Sequence, residues 1–158
     1  MLYRKPNPKN SKDAEGIANV LVKSYNIKDI AEGIETFRNE TKKQHHYIVV
    51  EENEKILGIV TWLMHGLPKH GLCELDRIAV LPEYQRKGIA RELFNKLIEE
   101  SSSEYKKHGS KLRKLYILTH ADNKRAQTFY EKMGCKHETT LKKHYYYDKD
   151  EFVYSRFF

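Results

Sequence analysis

The stretch Glu74-Leu75-Asp76-Arg77-Ile78-Ala79-Val80-Leu81-Pro82-Glu83-Tyr84-Gln85-Arg86-Lys87-Gly88-Ile89-Ala90 decides the fold. A strand over Cys73–Val80 runs into a turn marked by Pro82, and the turn opens a helix from Gly88 to about Glu104. Ile89, Leu93, Leu97 and Ile98 form that helix's inner face. Gly88 and Ala90 carry almost no side chain, so a ligand can approach the backbone there. The first turn of a helix leaves amide N–H groups without internal partners, at the positive end of the dipole. That is an anion site, and a pyrophosphate fits it. Arg86, Lys87 and Arg91 add positive charge around it. The chain has neither the G-x-x-x-x-G-K-[ST] run of a nucleotide P-loop nor the G-x-G-x-x-G of a dinucleotide site.

Working outward, Leu2–Lys5 reads as a short strand ended by Pro6 and Pro8. Ser11 or Asp13 can cap a helix with Ala14, Ile17, Ala18, Leu21 and Tyr25 on one face. A second helix starts near Ile30, with Ile34 and Phe37 inward. The period then changes to that of strands: His46–Glu51, a turn at Glu52-Asn53, and Lys55–Met64 form a hairpin. Beyond the central stretch, Lys114–Thr119 is a strand, and Asn123–Met133 is a helix stopped by Gly134 at the position that favours a left-handed residue. Cys135–Phe158 reads as two strands joined by Asp148-Lys149-Asp150. The order is strand, two helices, three strands, helix, strand, helix, two strands. It predicts a mixed α/β fold, with a partly parallel central sheet flanked by helices.

Length and composition bound the function. The 158 residues suit one domain, 1–158. Hydrophobic content of 39% against 32% charged residues, with no apolar run near membrane-span length, excludes an integral helical membrane protein. The polar start Met1–Asn10 lacks an apolar signal core, and Cys73 and Cys135 have no metal-ligand spacing, so two reduced, half-buried thiols in a cytoplasmic protein are expected. His45-His46 reads as a surface pair ahead of a strand, and no metal is expected. The net charge of +7 leaves nucleic acid, a membrane surface or an anionic small molecule open. Acidic residues interleave with basic ones and no nucleic-acid motif occurs, so no nucleic-acid or membrane partner is expected.

The central stretch resembles the coenzyme A signature of the GNAT superfamily, the Gcn5-related N-acetyltransferases. The family pattern [QR]-x-x-G-x-[GA] stands here as Gln85-Arg86-Lys87-Gly88-Ile89-Ala90. The run from Asp122 to Gly134 is similar to the family's N-x-x-A-x-x-[FL]-Y-x-x-x-G helix, and the order of elements is the family's along essentially the whole chain. The resemblance implies acetyl-CoA as cofactor and an acyltransferase activity toward a primary amine. Backbone amides of Arg86, Lys87, Gly88, Ile89 and Ala90 would bind the pyrophosphate, with Arg91 beside them. The strand end at Ile78 and Val80 would pair with the pantetheine arm, and the Val80 amide would also be the oxyanion donor. Asn123 would hydrogen-bond the pantetheine, and Arg125 would reach the cofactor's phosphates.

Tyr130, two helical turns after Asn123 and on the same face, becomes the general acid for the thiolate. By spacing alone it is a core tyrosine beside Phe129 and Met133. Glu74, six residues before Val80, stands where a glutamate acts as base in the family's histone-acetyltransferase branch, so the resemblance makes it the candidate base, with Asp76 on the same strand face in reserve. Relatives that acetylate ribosomal-protein N-termini carry a glutamate where this chain has Leu118. Cys135 departs from the aromatic that many relatives carry after the glycine. The acceptor side would be built from Ile27–Lys43 and from Lys143-His144-Tyr145-Tyr146-Tyr147-Asp148. A tyrosine stretch there resembles peptide N-terminus acetyltransferases. Aromatics without a strong acidic cluster suit a peptide or an aryl or alkyl amine better than a polycation. The expected acceptor is a protein or peptide N-terminus or a lysine, the alternatives being a small-molecule amine or polyamine, or no acceptor at all in a CoA-binding sensor or interaction domain. A monomer or homodimer is expected.

Overall fold

The computed structural model describes residues 1–158. The elements are β1 (Leu2–Arg4), α1 (Ser11–Ser24), α2 (Ile30–Lys42), β2 (His46–Glu52), β3 (Lys55–His65), β4 (Leu72–Val80), α3 (Ile89–Lys107), β5 (Lys114–His120), α4 (Lys124–Lys132), β6 (Lys136–Tyr146) and β7 (Lys149–Phe157). The seven strands hydrogen-bond in the order β1-β2-β3-β4-β5-β7-β6. β4 and β5 are parallel, whereas β1–β2, β2–β3, β5–β7 and β6–β7 are antiparallel. This is the mixed, partly parallel α/β fold that the order of elements predicts. No helix is long and apolar enough to cross a membrane. The chain forms two compact units, Met1–Leu63 with Arg77–Glu100 and Met64–Asp76 with Ser101–Phe158.

In the first unit the apolar face of α1 is buried completely through Ala14, Ile17, Ala18 and Leu21, against Phe37, Tyr47, Val49 and Ile59. A Cβ at Gly33 would stand 2.7 Å from that of Ala18, so glycine is what lets α1 and α2 approach so closely. The α1 cap is Asn10, not Ser11 or Asp13: its Oδ1 accepts from the amides of Lys12 and Asp13 at 2.9 and 3.2 Å. Asp13 is occupied elsewhere. Its carboxylate takes both terminal nitrogens of Arg4, at 3.0 and 2.7 Å, and the Asn7 amide at 2.7 Å. The β2–β3 turn falls one residue later than predicted. Asn53 and Glu54 both have positive φ, +50° and +61°, as a two-residue type I′ hairpin requires. His46 is half-buried at the start of β2, with its ring stacked on Trp62, 3.9 Å between centroids.

Arg4 holds the Asp13 carboxyl below the usual range. A carboxylate depressed in the folded state contributes stability above its unfolded pKa and loses it as pH falls through the folded one. Asp13→Asn is therefore expected to cost about 2 kcal/mol at neutral pH, and the gap from wild type should close in acid below about pH 4. Urea unfolding at the two pH values checks this, and an equal gap at both would contradict it.

In the second unit, α3 continues past the predicted end at Glu104. Ser101 is fully buried beside Cys73, and the fully buried Tyr105 donates to the Leu72 carbonyl at 2.6 Å, so the Ser101-Ser102-Ser103 run is held by packing. Both cysteines are buried, more deeply than predicted. Burial pushes both thiols up, that of Cys135 to about 11, which makes them poor nucleophiles. α4 is capped by Asn123 and stopped at Gly134, whose φ is +81°. The β6–β7 turn is shorter than predicted, since Tyr146 already pairs with Lys149.

Candidate functional site

The turn over Gln85–Ala90 lies between β4 and α3, where its sequence places it. A short 3-10 turn over Pro82–Tyr84 leaves β4, and the Gln85 side-chain Nε2 donates back to the Val80 carbonyl at 2.9 Å, tying the turn to the strand end. The backbone then takes left-handed values at Arg86 (φ +63°) and Gly88 (φ +79°). The first backbone bond of α3 at this end runs from the Glu92 amide to the Gly88 carbonyl, 3.1 Å. The amides of Ile89, Ala90 and Arg91 therefore precede the helical ladder and have no acceptor inside it. Ile89 is buried and anchors the turn, while Arg86, Lys87, Gly88 and Arg91 are exposed. A Cβ at residue 88 would meet only the Arg91 guanidinium, 3.8 Å away, so the space above the glycine is open. Open backbone, unsatisfied amides and three cationic side chains fit a pyrophosphate such as that of coenzyme A.

Ile78 and Val80 lie just upstream on β4. The Tyr25 hydroxyl accepts from the Ile78 amide and donates to the Ile78 carbonyl, both at 3.0 Å. The backbone edge expected to receive a pantetheine arm is therefore met at Ile78 by a side chain of the protein itself. Tyr25, which the spacing places on one face of α1 with Ala14, Ile17 and Leu21, caps the C-terminal end of that helix and packs against the same core.

In the second unit the β4–β5 ladder has three rungs, Leu72↔Lys114, Cys73↔Leu115 and Glu74↔Tyr116. Both strands run on beyond it. Burial alternates along each: Cys73 and Leu75 point into the core, as do Leu115, Ile117 and Thr119, which leaves Glu74, Asp76, Tyr116, Leu118 and His120 half-buried. Glu74 Oε2 lies 2.6 Å from His65 Nε2 and accepts from the Tyr116 hydroxyl at 3.3 Å. Burial, and then Glu74, push the Tyr116 hydroxyl pKa up, so it stays protonated and donating. Tyr145 in β6 is shifted upward as well, by burial first and then by Glu74, Asp76 and Glu151. Three carboxylates thus act on one tyrosine of the hairpin, an acidic grouping that the run from Lys143 to Asp148 does not reveal. Glu151 is almost fully buried, and its Oε1 stands 2.6 Å from His120 Nδ1.

Asn123 and Tyr130 sit at the two ends of α4. Asn123 Oδ1 accepts from the Ala126 amide at 3.1 Å, so only its amide nitrogen remains to donate to a ligand. Tyr130 is 6% exposed, with its ring near those of Phe129 and Tyr154, 5.5 and 6.3 Å between centroids. Arg125 is exposed on the first turn of α4. The buried Gln127 donates to the carbonyls of His120 and Ala121, at 3.2 and 2.9 Å, and fixes the β5–α4 turn that presents Asn123. Sequence reading missed His65, Tyr116, His120 and Glu151. Alternation along β5 could have placed Tyr116 and His120 on one face; nothing local points to His65 or Glu151.

Comparison with known proteins shows the family and the fold. Residues 14–135 match the model of the acetyltransferase (GNAT) family. Among solved structures, an aminoglycoside 6'-N-acetyltransferase complexed with coenzyme A superposes with a TM-score of 0.83 at 15% identity, over 99% of this chain and 97% of the other. An N-acetyltransferase from Staphylococcus aureus Mu50 gives 0.73 at 23% identity, over 99% and 97%. The ribosomal-protein-S18-alanine N-acetyltransferase from Escherichia coli gives 0.74 at 21% identity, over 98% and 91%. No curated protein matches the chain in sequence. The family model covers most of the chain, including the Gly88 turn and the Asn123 helix, and the protein therefore belongs to the acetyltransferase (GNAT) family.

Proposed function

We propose that the protein is an N-acetyltransferase that passes the acetyl group of acetyl-CoA directly to a primary amine, with residues 1–158 working as one domain. The observation that carries the proposal is the open, left-handed turn at Gly88, with the unsatisfied amides of α3 behind it. When bound, acetyl-CoA supplies an acetyl thioester and a thiolate leaving group. The amides of Arg86, Lys87, Gly88, Ile89 and Ala90, with the side chains of Arg86, Lys87 and Arg91, hold its pyrophosphate, and Arg125 meets its outer phosphates. Ile78 and Val80 offer backbone to the pantetheine arm, and the amide nitrogen of Asn123 donates to a pantetheine carbonyl. The Val80 amide faces the oxygen that gains charge.

A primary ammonium has three N–H bonds and the product amide one. Glu74 takes the first proton, which frees the lone pair for attack, and Tyr130 gives a proton to sulfur and is restored by the second. The half-buried carboxylates of Glu74 and Asp76, on one face of β4, favour an acceptor that arrives as a cation: a protein or peptide N-terminus, a lysine or a small amine. Thiol release from acetyl-CoA, measured with peptides bearing a free N-terminus, peptides with lysine only and polyamines, tests the proposal. No release with any acceptor would reject it.

Acetyl-CoA must displace the Tyr25 hydroxyl from Ile78. Tyr25→Phe removes that competitor and should tighten acetyl-CoA binding about fivefold, the worth of roughly 1 kcal/mol. Calorimetric titration checks this; unchanged or weaker binding would contradict the pairing at Ile78.

A further inference from the structure

We propose that His65 is a positioning residue for Glu74, anchoring one carboxylate oxygen so that the other is presented to the acceptor amine. The inference rests on the reading of Glu74 as the base. Both protein groups that reach this carboxylate, His65 Nε2 and the Tyr116 hydroxyl, meet the same atom, Oε2. Oε1 is used by neither. A carboxylate on a strand turns freely about its last torsion, and two donors on one oxygen fix that torsion. The Tyr116 hydroxyl is a permanent donor, and its ring lies 5.7 Å from that of His65 between centroids.

The proton step balances at Oε1. An N–H bond of the acceptor ammonium breaks, an O–H bond forms on Glu74, and the nitrogen keeps the electron pair that attacks the thioester. The Glu74 side chain is 16% exposed and that of His65 39%, so the base is the more buried of the two. Tyr116 on β5 faces the pair directly, and Tyr145 on β6 interacts electrostatically with Glu74, with Asp76 and with Glu151. Positioning of a reactive group is worth a large factor in rate even when the anchor never touches substrate.

The test is a double-mutant cycle on the full chain, with kcat, KM for acetyl-CoA and the pH dependence of kcat/KM. His65→Ala should lower kcat about tenfold, the loss of one charge-assisted hydrogen bond, with KM for acetyl-CoA unchanged. It should also move the acid limb of the pH profile, and added imidazole should restore part of the rate. His65→Gln keeps an N–H near the place of Nε2 and should stay within about threefold of wild type, which also guards against a misfolded alanine variant. Glu74→Gln should cost about a hundredfold, and adding His65→Ala to it should cost nothing further. A wild-type rate and pH profile in His65→Ala, or the same penalty in the Glu74→Gln background, would overturn the positioning role while leaving Glu74 as base. Full activity in Glu74→Gln would overturn both.

Discussion

Tyr130→Phe is expected to lower kcat by about two to three orders of magnitude while leaving acetyl-CoA affinity unchanged. The leaving group is a thiolate whose conjugate acid has a pKa near 8.5, and a phenol near 10 can hydrogen-bond it as charge develops and then protonate it. Phenylalanine keeps the ring that packs near Phe129 and Tyr154 and removes only the hydroxyl, so the fold should be spared. The loss should fall on kcat and kcat/KM alike, the signature of an interaction made in the transition state. Turnover with saturating donor and acceptor, beside a calorimetric titration with CoA, separates the two effects. Wild-type turnover would return Tyr130 to the core role that its spacing allows. Weakened CoA binding with normal turnover of the bound fraction would make it a binding residue.

Gly88→Val should abolish useful acetyl-CoA binding, raising its Kd about a hundredfold or more. Two costs add. The φ of +79° at residue 88 is strained for any residue with a Cβ, by roughly 1–2 kcal/mol, and more for a β-branched one. The new side chain also fills the open space that brings a pyrophosphate to the α3 amides. Gly88→Ala meets the strain with less bulk and should fall in between. Because the glycine is exposed and lies outside the core, thermal unfolding should move far less than Kd. Wild-type affinity in Gly88→Val would remove the turn from the cofactor site.

Local features of this fold are legible in the residues, and tertiary ones are not. The Gln85–Ala90 turn and the Gly134 stop rest on backbone preferences of a few neighbouring positions, and each forms where its sequence places it. Caps fail where two good candidates compete. Asn10 caps α1 because Asp13 is drawn to Arg4, a residue of another element. The alternation Glu74–Asp76 identifies a strand face, but not what stands over it. His65 reaches Glu74 from the end of β3, and Tyr116 reaches it through the register of a parallel pair, both set by the assembled sheet. The grouping of Glu74, Asp76 and Glu151 around Tyr145 is likewise dispersed along the chain.

In the proposed site, part of the net charge of +7, in Arg86, Lys87 and Arg91, would surround one anionic ligand. That assignment still leaves two outcomes for a protein of this family, transfer of the acetyl group or binding alone. The most direct measurement is the stoichiometry of free thiol released and acetylated amine formed when the protein is mixed with acetyl-CoA and a peptide bearing a free N-terminus and a lysine. The account predicts one acetylated amine per thiol, with both lost together in Tyr130→Phe. Tight binding of CoA with neither product, across peptide and polyamine acceptors, would contradict it and make the domain a CoA-binding module without transfer.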